Sequence, residues 1–304
     1  MIKVANFHDV YDASWLEEVL GFLKKKYKLI SIDELKSFIS GANYIGNYCH
    51  ITIDDGDRTF YEVMYPVLKK HNIPATLFVS PKIIAEGVSY WFQEVLQFDQ
   101  KCFKQIIADY LHLDARRFHR YNIMHICKTM KISQINDVIE YYRMQYNHES
   151  GIHQNISLDQ LKEIYKDSLI RIGAHTLTHP ILANEDESVS EYEIVESLRE
   201  LSDILGSEIL YFAYPNGIPG LDFGDREKKI LLKNGCELAF STFHSNVKPY
   251  FDRLSIPRFY ISQGNIETIR MKLFFGKYWE TMRNFKTKGE KQARLEIRKL
   301  TLKE

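Results

Sequence analysis

The sequence predicts an α/β fold, a barrel or doubly wound sheet of parallel strands, and three observations carry that expectation. Short apolar runs of strand length alternate with amphipathic helical periodicity over most of the chain. The connections are short. The side chains best suited to chemistry fall just after strands, where α/β folds place their sites.

Residues 2–7 read as a first strand and 13–27 as a helix, with Trp15, Leu16, Val19, Leu20 and Leu23 at helical spacing. Ser31-Ile32-Asp33-Glu34 is a capping box that opens a second, short helix. Residues 48–53 are β-rich and run into Asp54-Asp55-Gly56, so two carboxylates stand at a strand end. Phe60, Val63, Met64, Val67 and Leu68 predict an amphipathic helix over 57–71, which Pro74 stops before a strand at 75–79. Between about 83 and 151 the strand signals vanish. Phe92, Val95 and Leu96, then Ile135, Val138, Ile139 and Tyr142, recur at helical spacing and predict a helical insertion. The β/α rhythm resumes with a second capping box at Ser157-Leu158-Asp159-Gln160, a helix to about 166 and a strand at 169–173. A helix at 190–205, strands at 209–214, 237–242 and 258–261, and a helix at 226–234 complete the pattern.

One main domain over 1–269, interrupted by the insertion, is expected, followed by a basic helical tail over 270–304 with 11 Lys or Arg against 4 Asp or Glu. The formal net charge is zero, so nothing in the bulk balance points to nucleic acid or to a polyanion. No run approaches the roughly 18 apolar residues of a spanning helix, and the first residues lack a signal-peptide core, so a cytoplasmic protein is expected. Cys49, Cys102, Cys127 and Cys236 are widely spaced without a CxxC pair, and read as reduced core residues.

About 120 residues after the two carboxylates, the next unit ends in His175-Thr176-Leu177-Thr178-His179-Pro180. Two carboxylates and two imidazoles at strand ends are the oxygen and nitrogen donors of a catalytic divalent metal. Each motif alone has an ordinary reading, a turn or helix N-cap for Asp-Asp-Gly and a pair of structural histidines for the other. Their combination favours a metal-dependent hydrolase, in which zinc would lower the pKa of its water to about 7. Gly56 permits a sharp turn that lets both carboxylates reach one cavity.

These residues resemble the polysaccharide deacetylases, also called carbohydrate esterase family 4 or the nodulation-factor deacetylase homology domain, over roughly residues 1–262 apart from the insertion. The family's first motif, a strand ending Thr-Phe-Asp-Asp-Gly, is matched by Thr52-Ile53-Asp54-Asp55-Gly56, and its His-Ser/Thr-x-x-His-Pro motif by residues 175–180. The resemblance implies a distorted (β/α) barrel, Asp55, His175 and His179 as ligands of one divalent metal, and Asp54 as general base. Zinc is the first expectation, and nickel, cobalt, iron or manganese accept similar donors. Asn6-Phe7-His8-Asp9 resembles the Tyr-His-Asp/Asn pattern of a permuted branch represented by poly-N-acetylglucosamine deacetylases, which makes His8 the candidate acid, with a solvent-exposed loop histidine as the alternative.

The family's third motif, Arg-x-Pro-Tyr-Gly, is only partly matched by Ala213-Tyr214-Pro215-Asn216-Gly217. Pro215 and Gly217 fit, whereas Ala213 stands where the family has Arg and Asn216 where it has Tyr. The Asn216 backbone amide, flanked by Tyr214 and Pro215, is the candidate oxyanion donor. Arg258 is the candidate to replace the missing guanidinium, or else a surface residue at a strand start. Tyr90, Trp91 and Phe92 are placed to wall the site and stack on sugar, with Trp91 the chosen substrate contact, or to pack the insertion on the barrel.

The activity implied is metal-dependent N-deacetylation of an acetamido sugar, on a lipid-linked or nucleotide-linked glycan precursor. The rivals are hydrolysis of a non-sugar amide and a carbohydrate-binding role without catalysis, the latter prompted by Ala213. In the tail, Leu273, Phe274, Phe275, Tyr278 and Trp279 lie among Lys272, Lys277 and Arg283, a composition that suits docking on the barrel or peripheral contact with an anionic inner membrane face.

Overall fold

The computed structural model describes residues 1–149, 151, 154–276, 278 and 289–301. Its strands, in chain order, are β1 (Ile2–Phe7), β2 (Lys28–Leu29), β3 (Tyr48–Ile53), β4 (Ala75–Val79), β5 (Ile170–Ala174), β6 (Tyr211–Ala213), β7 (Leu238–Phe240) and β8 (Phe259–Tyr260). They form one sheet in the order β7-β6-β5-β4-β3-β1-β8, with β2 beside β3 and every ladder parallel. The two edges are tied together. Phe240 bridges Ile256, and Ser241 N donates to Ile256 O and Ile256 N to Ala239 O, each at 2.8 Å, before the chain enters β8 and pairs with β1. The sheet therefore closes through one irregular seam, the distorted (β/α) barrel expected. Because all strands run the same way, the segments that leave Phe7, Ile53, Val79, Ala174, Ala213, Phe240 and Tyr260 all emerge at one rim.

β1 and β4 are buried along their whole length, as strands covered on both faces must be. Helices cover one face through Leu16, Leu20, Leu68, Leu161, Ile194 and Leu201. Both expected capping boxes form, at Ser31/Glu34 and Ser157/Gln160. The helix expected over 57–71 divides into a π-helical turn, Phe60–Met64, and an α-helix, Tyr65–Lys70. Pro66 has no N–H to give to the carbonyl four residues earlier, and the turn widens so that Tyr65 N bonds Phe60 O instead. β2 escapes the sequence because two residues have no readable period; β1, β3 and β4 have the expected limits, and those of the other four strands move by one or two residues.

The insertion is helical, as expected, and has its own core of Trp91, Phe98, Phe103, Ile107, Phe118, Val138 and Tyr142. The C-terminal helix Glu290–Thr301 belongs to that core through Ala293 and Ile297. The helix Ile266–Phe275 docks on the barrel through Ile269 and Leu273. These parts of the tail are thus packed rather than free, while Lys277, Trp279 and Arg283 lie outside the described residues. Among the described residues no helix is long and apolar enough to cross a membrane. Cys49, Cys127 and Cys236 are buried free thiols, and Cys102 is half-buried, packed against the core of the insertion from the helix Gln100–Tyr110.

Candidate metal centre and active site

Asp54 and Asp55 leave β3 in a turn that begins one residue earlier than Gly56 alone requires. Asp55 itself sits at φ +71 and Gly56 at φ +70. Aspartate tolerates this left-handed region better than most side chains. At Gly56 a Cβ would stand 2.9 Å from Val79 Cγ1. The turn brings both carboxylates to one cavity of about 520 Å³, which His8, His175 and His179 also line. Thr176 (φ +62) and His179 (φ +64) fold the second motif back in the same way.

Asp55 Oδ1 lies 3.5 Å from His175 Nε2 and 3.5 Å from His179 Nε2. These three donors form a cluster with all ligand atoms within 4.8 Å of one another. Donors held about 2.1 Å from one ion at a tetrahedral angle stand roughly 3.4 Å apart, close to both Asp55–imidazole distances. His175 Nδ1 donates to Ala213 O at 2.7 Å, which leaves Nε2 as the lone-pair nitrogen. Burial lowers His175 to about 4 and His179 well below its ordinary value, so both rings are neutral ligands near pH 7. Asp55 is pushed upward by burial, then by the charges of Asp54 and Asp57, and its Oδ1 is buried with no hydrogen-bond partner. A buried, unpartnered carboxylate oxygen facing two neutral imidazoles is a set that a divalent cation satisfies.

Asp54 is held differently. Arg258 Nη1 donates to Oδ1 at 2.7 Å and Nη2 to Oδ2 at 2.8 Å, a two-pronged pair that is almost wholly buried. Asn6 Nδ2 adds a bond to Oδ2 at 3.0 Å. Burial by itself would raise the Asp54 carboxyl, but the Arg258 charge prevails and holds it below the usual carboxylate range. The guanidinium missing at Ala213 is therefore supplied from the segment before β8. His8 Nε2 stands 3.8 Å from Asp54 Oδ2 and 3.9 Å from Asp55 Oδ2, with its side chain 31 % exposed to the cavity.

Asn216, at φ +56, lines the cavity. Tyr214 and Pro215 do not. The Tyr214 ring stacks on Phe223 with centroids 3.6 Å apart and its hydroxyl donates to Leu254 O, so its side chain belongs to the core and not to a substrate contact. Pro215 is likewise buried beneath the turn. The insertion supplies one wall: Trp91 Nε1 donates to His179 O at 3.0 Å, Phe92 packs edge-on to His179, and Tyr90 OH donates to Asp55 O at 2.8 Å. Trp91 and Phe92 face the cavity, while Tyr90 is wholly buried.

Several contributors lie outside the sequence-based expectations. Asn6 and Thr52 stand two residues before His8 and Asp54, so strand alternation alone puts them on the catalytic face. Glu193, buried on the helix Glu187–Leu205, accepts from Leu177 N (2.9 Å), Thr178 N (3.0 Å) and Thr178 Oγ1 (2.6 Å), and so fixes the loop between the two histidines. Lys128, His244, Tyr260 and Glu290 also reach the cavity from far along the chain, and no local pattern marks them. Glu193→Ala strips the loop of its acceptor, and competition with a chromophoric chelator is expected to give a 10- to 100-fold weaker metal affinity. Wild-type affinity in that variant would contradict this role.

The polysaccharide deacetylase family model matches residues 43–237, a span that contains both Asp residues and both His ligand candidates but neither His8 nor Arg258. A poly-beta-1,6-N-acetyl-D-glucosamine N-deacetylase of Staphylococcus epidermidis is 22 % identical over 272 residues, covering 86 % of this chain and 71 % of its own length. Its Staphylococcus aureus counterpart is 24 % identical over 263 residues, covering 84 % and 68 %. Among solved structures, the Streptococcus pyogenes deacetylase PplD in complex with acetate superimposes with a TM-score of 0.59 at 18 % identity, over 90 % of this chain and 96 % of that one. IcaB from Ammonifex degensii gives 0.58 at 17 % identity, over 96 % and 97 %.

Proposed function

The chain belongs to the polysaccharide deacetylase family, whose members are carbohydrate N-deacetylases, and from that premise we propose that it hydrolyses the N-acetyl group of an acetamido sugar with the help of one divalent cation. The observation that carries this reading is the position of Asp55 Oδ1, 3.5 Å from both imidazole Nε2 atoms and beside the Asp54–Arg258 pair. Asp55, His175 and His179 would hold the cation. Zinc is our choice, with nickel, cobalt, iron or manganese as alternatives, and such an ion supplies Lewis acidity toward an acyl oxygen and toward water.

The rest falls to side chains of this chain. Arg258 keeps Asp54 ionised and aimed, so that it takes a proton from the attacking water. His8, on the same side of the cavity, gives a proton to the departing nitrogen, and the products are acetate and a free amine. The Asn216 N–H is the donor proposed for the oxygen that gains charge. Trp91, Phe92, Phe243 and Tyr260 offer ring surface suited to the C–H faces of a pyranose. The proposed substrate is a carrier-linked acetamido sugar, on a lipid or a nucleotide. The helix that lends Lys272 to the cavity also exposes Phe274, 84 % accessible, as surface for a lipid carrier at an anionic inner membrane face.

Acetate and amine release by metal-loaded protein is the test, on free, nucleotide-linked and oligomeric acetamido sugars and on simple acetamides. We expect kcat/KM for the best sugar to exceed that for simple amides by at least ~100-fold. Equal values would favour the non-sugar amide reading. No release from any of them would favour binding without catalysis.

A further inference from the structure

A chain of polar contacts joins the catalytic cavity to the C-terminal helix, although nothing in the local sequence connects them. Lys128, at the end of the short insertion helix Ile123–Cys127, donates from Nζ to Asn216 Oδ1 at 2.6 Å and to Glu290 Oε1 at 3.2 Å. Asn216 Nδ2 donates to Asp222 Oδ2 at 2.6 Å and to Glu290 Oε1 at 3.0 Å. Every polar atom of the Asn216 side chain is thus engaged. Its main chain is gripped as well, since Thr242 Oγ1 donates to Asn216 O at 2.7 Å and Thr242 N to Gly217 O at 2.8 Å.

Behind this ring stands Arg294, fully buried, which pairs with Asp222 at 2.5 Å and with Glu290 at 3.3 Å and donates to Lys128 O at 2.8 Å. Three separate stretches of chain, the insertion, the turn after β6 and the C-terminal helix, are pinned at one point. Asn accepts the left-handed φ of +56, so these contacts are what fix where the turn sits, and the position is where the family's motif carries Tyr.

We propose that Lys128 is a positioning residue for the reaction, and that the C-terminal helix, through Glu290 and Arg294, is a built-in part of the catalytic centre that sets the Asn216 turn. This rests on the deacetylase reading and on Asn216 N–H as the donor to the developing oxyanion. A donor displaced by a fraction of an ångström from the oxygen it stabilises loses rate, not ground-state affinity. Lys128 lines the cavity, so it can be changed without opening the core, whereas Arg294→Met would leave Asp222 buried and uncompensated.

The test is Lys128→Met, Lys128→Arg and Glu290→Gln in the full chain, with kcat, KM, bound metal and Tm measured for each. Lys128→Met is expected to lower kcat roughly 10- to 100-fold, with KM within about twofold, metal at one equivalent and Tm close to wild type. Lys128→Arg restores most of the rate. Glu290→Gln has a smaller effect, and adding it to Lys128→Met costs little more, because the two act on one turn. An unchanged kcat in Lys128→Met overturns the proposal. A rise in KM alone overturns it in favour of a substrate contact, and a fall in Tm that accounts for the lost rate overturns it in favour of a structural role. Wild-type protein that holds metal yet releases no acetate would overturn the deacetylase reading and this role together.

Discussion

Asp55→Asn is expected to abolish deacetylation while making the metal-free protein more stable. Asn keeps the shape and tolerates the φ of +71, so the change isolates charge. In the metal-free wild type, burial and the neighbouring Asp54 and Asp57 charges raise the Asp55 pKa above 3.8. A carboxyl raised on folding costs stability, and that cost grows as pH climbs from its unfolded value through its folded one. The variant is spared it. Metal reverses the order: an ion bound only by folded wild type adds about 2.7 kcal/mol at a hundredfold excess over Kd, and the variant gains nothing. Thermal melts with and without zinc are expected to cross in this way, with turnover down by roughly a thousandfold or more. A variant that still gains Tm from zinc would show that Asp55 is not a ligand.

The second large effect belongs to Asp54. Asp54→Asn is expected to retain one equivalent of metal and to lose about 10²- to 10⁴-fold in kcat, the range for a missing general base. It also leaves the Arg258 guanidinium, 1 % exposed, without a counter-charge, a loss of about 3–5 kcal/mol for a broken buried pair. Replacing both, Asp54→Asn with Arg258→Met, should recover much of that stability because no lone charge is left, yet none of the rate. That split separates catalysis from packing. Full activity in Asp54→Asn would remove its assignment as base.

The sequence is most legible where one element carries the information. Strand ends mark Asp54, Asp55 and His175, and the capping boxes at Ser31 and Ser157 form as expected. The fold class is readable from the β/α alternation because parallel strands buried on both faces appear as apolar runs. Legibility fails where the decisive partner is remote. Arg258 meets Asp54 across 204 positions, and the pairing emerges only from asking which residue could replace a missing guanidinium. Lys128, Glu193 and Glu290 have no local signature, since each matters through a neighbour supplied by another element. Tyr214 departs from expectation for a different reason: adjacency to Asn216 says nothing about side-chain direction, and strand alternation turns its ring into the core against Phe223. Pro66 is visible in the sequence, but its effect, a widened turn instead of a broken helix, depends on packing around Phe60 and Met64.

The proposal that one metal at Asp55, His175 and His179 runs the reaction is tested by titrating metal-stripped protein with zinc while following acetate release from an acetamido sugar. For wild type the rate is expected to rise from the background in proportion to added zinc and to break at one equivalent, with the His175→Ala/His179→Ala double variant flat throughout. Full activity in the stripped protein, or a double variant that tracks the wild-type curve, would contradict it.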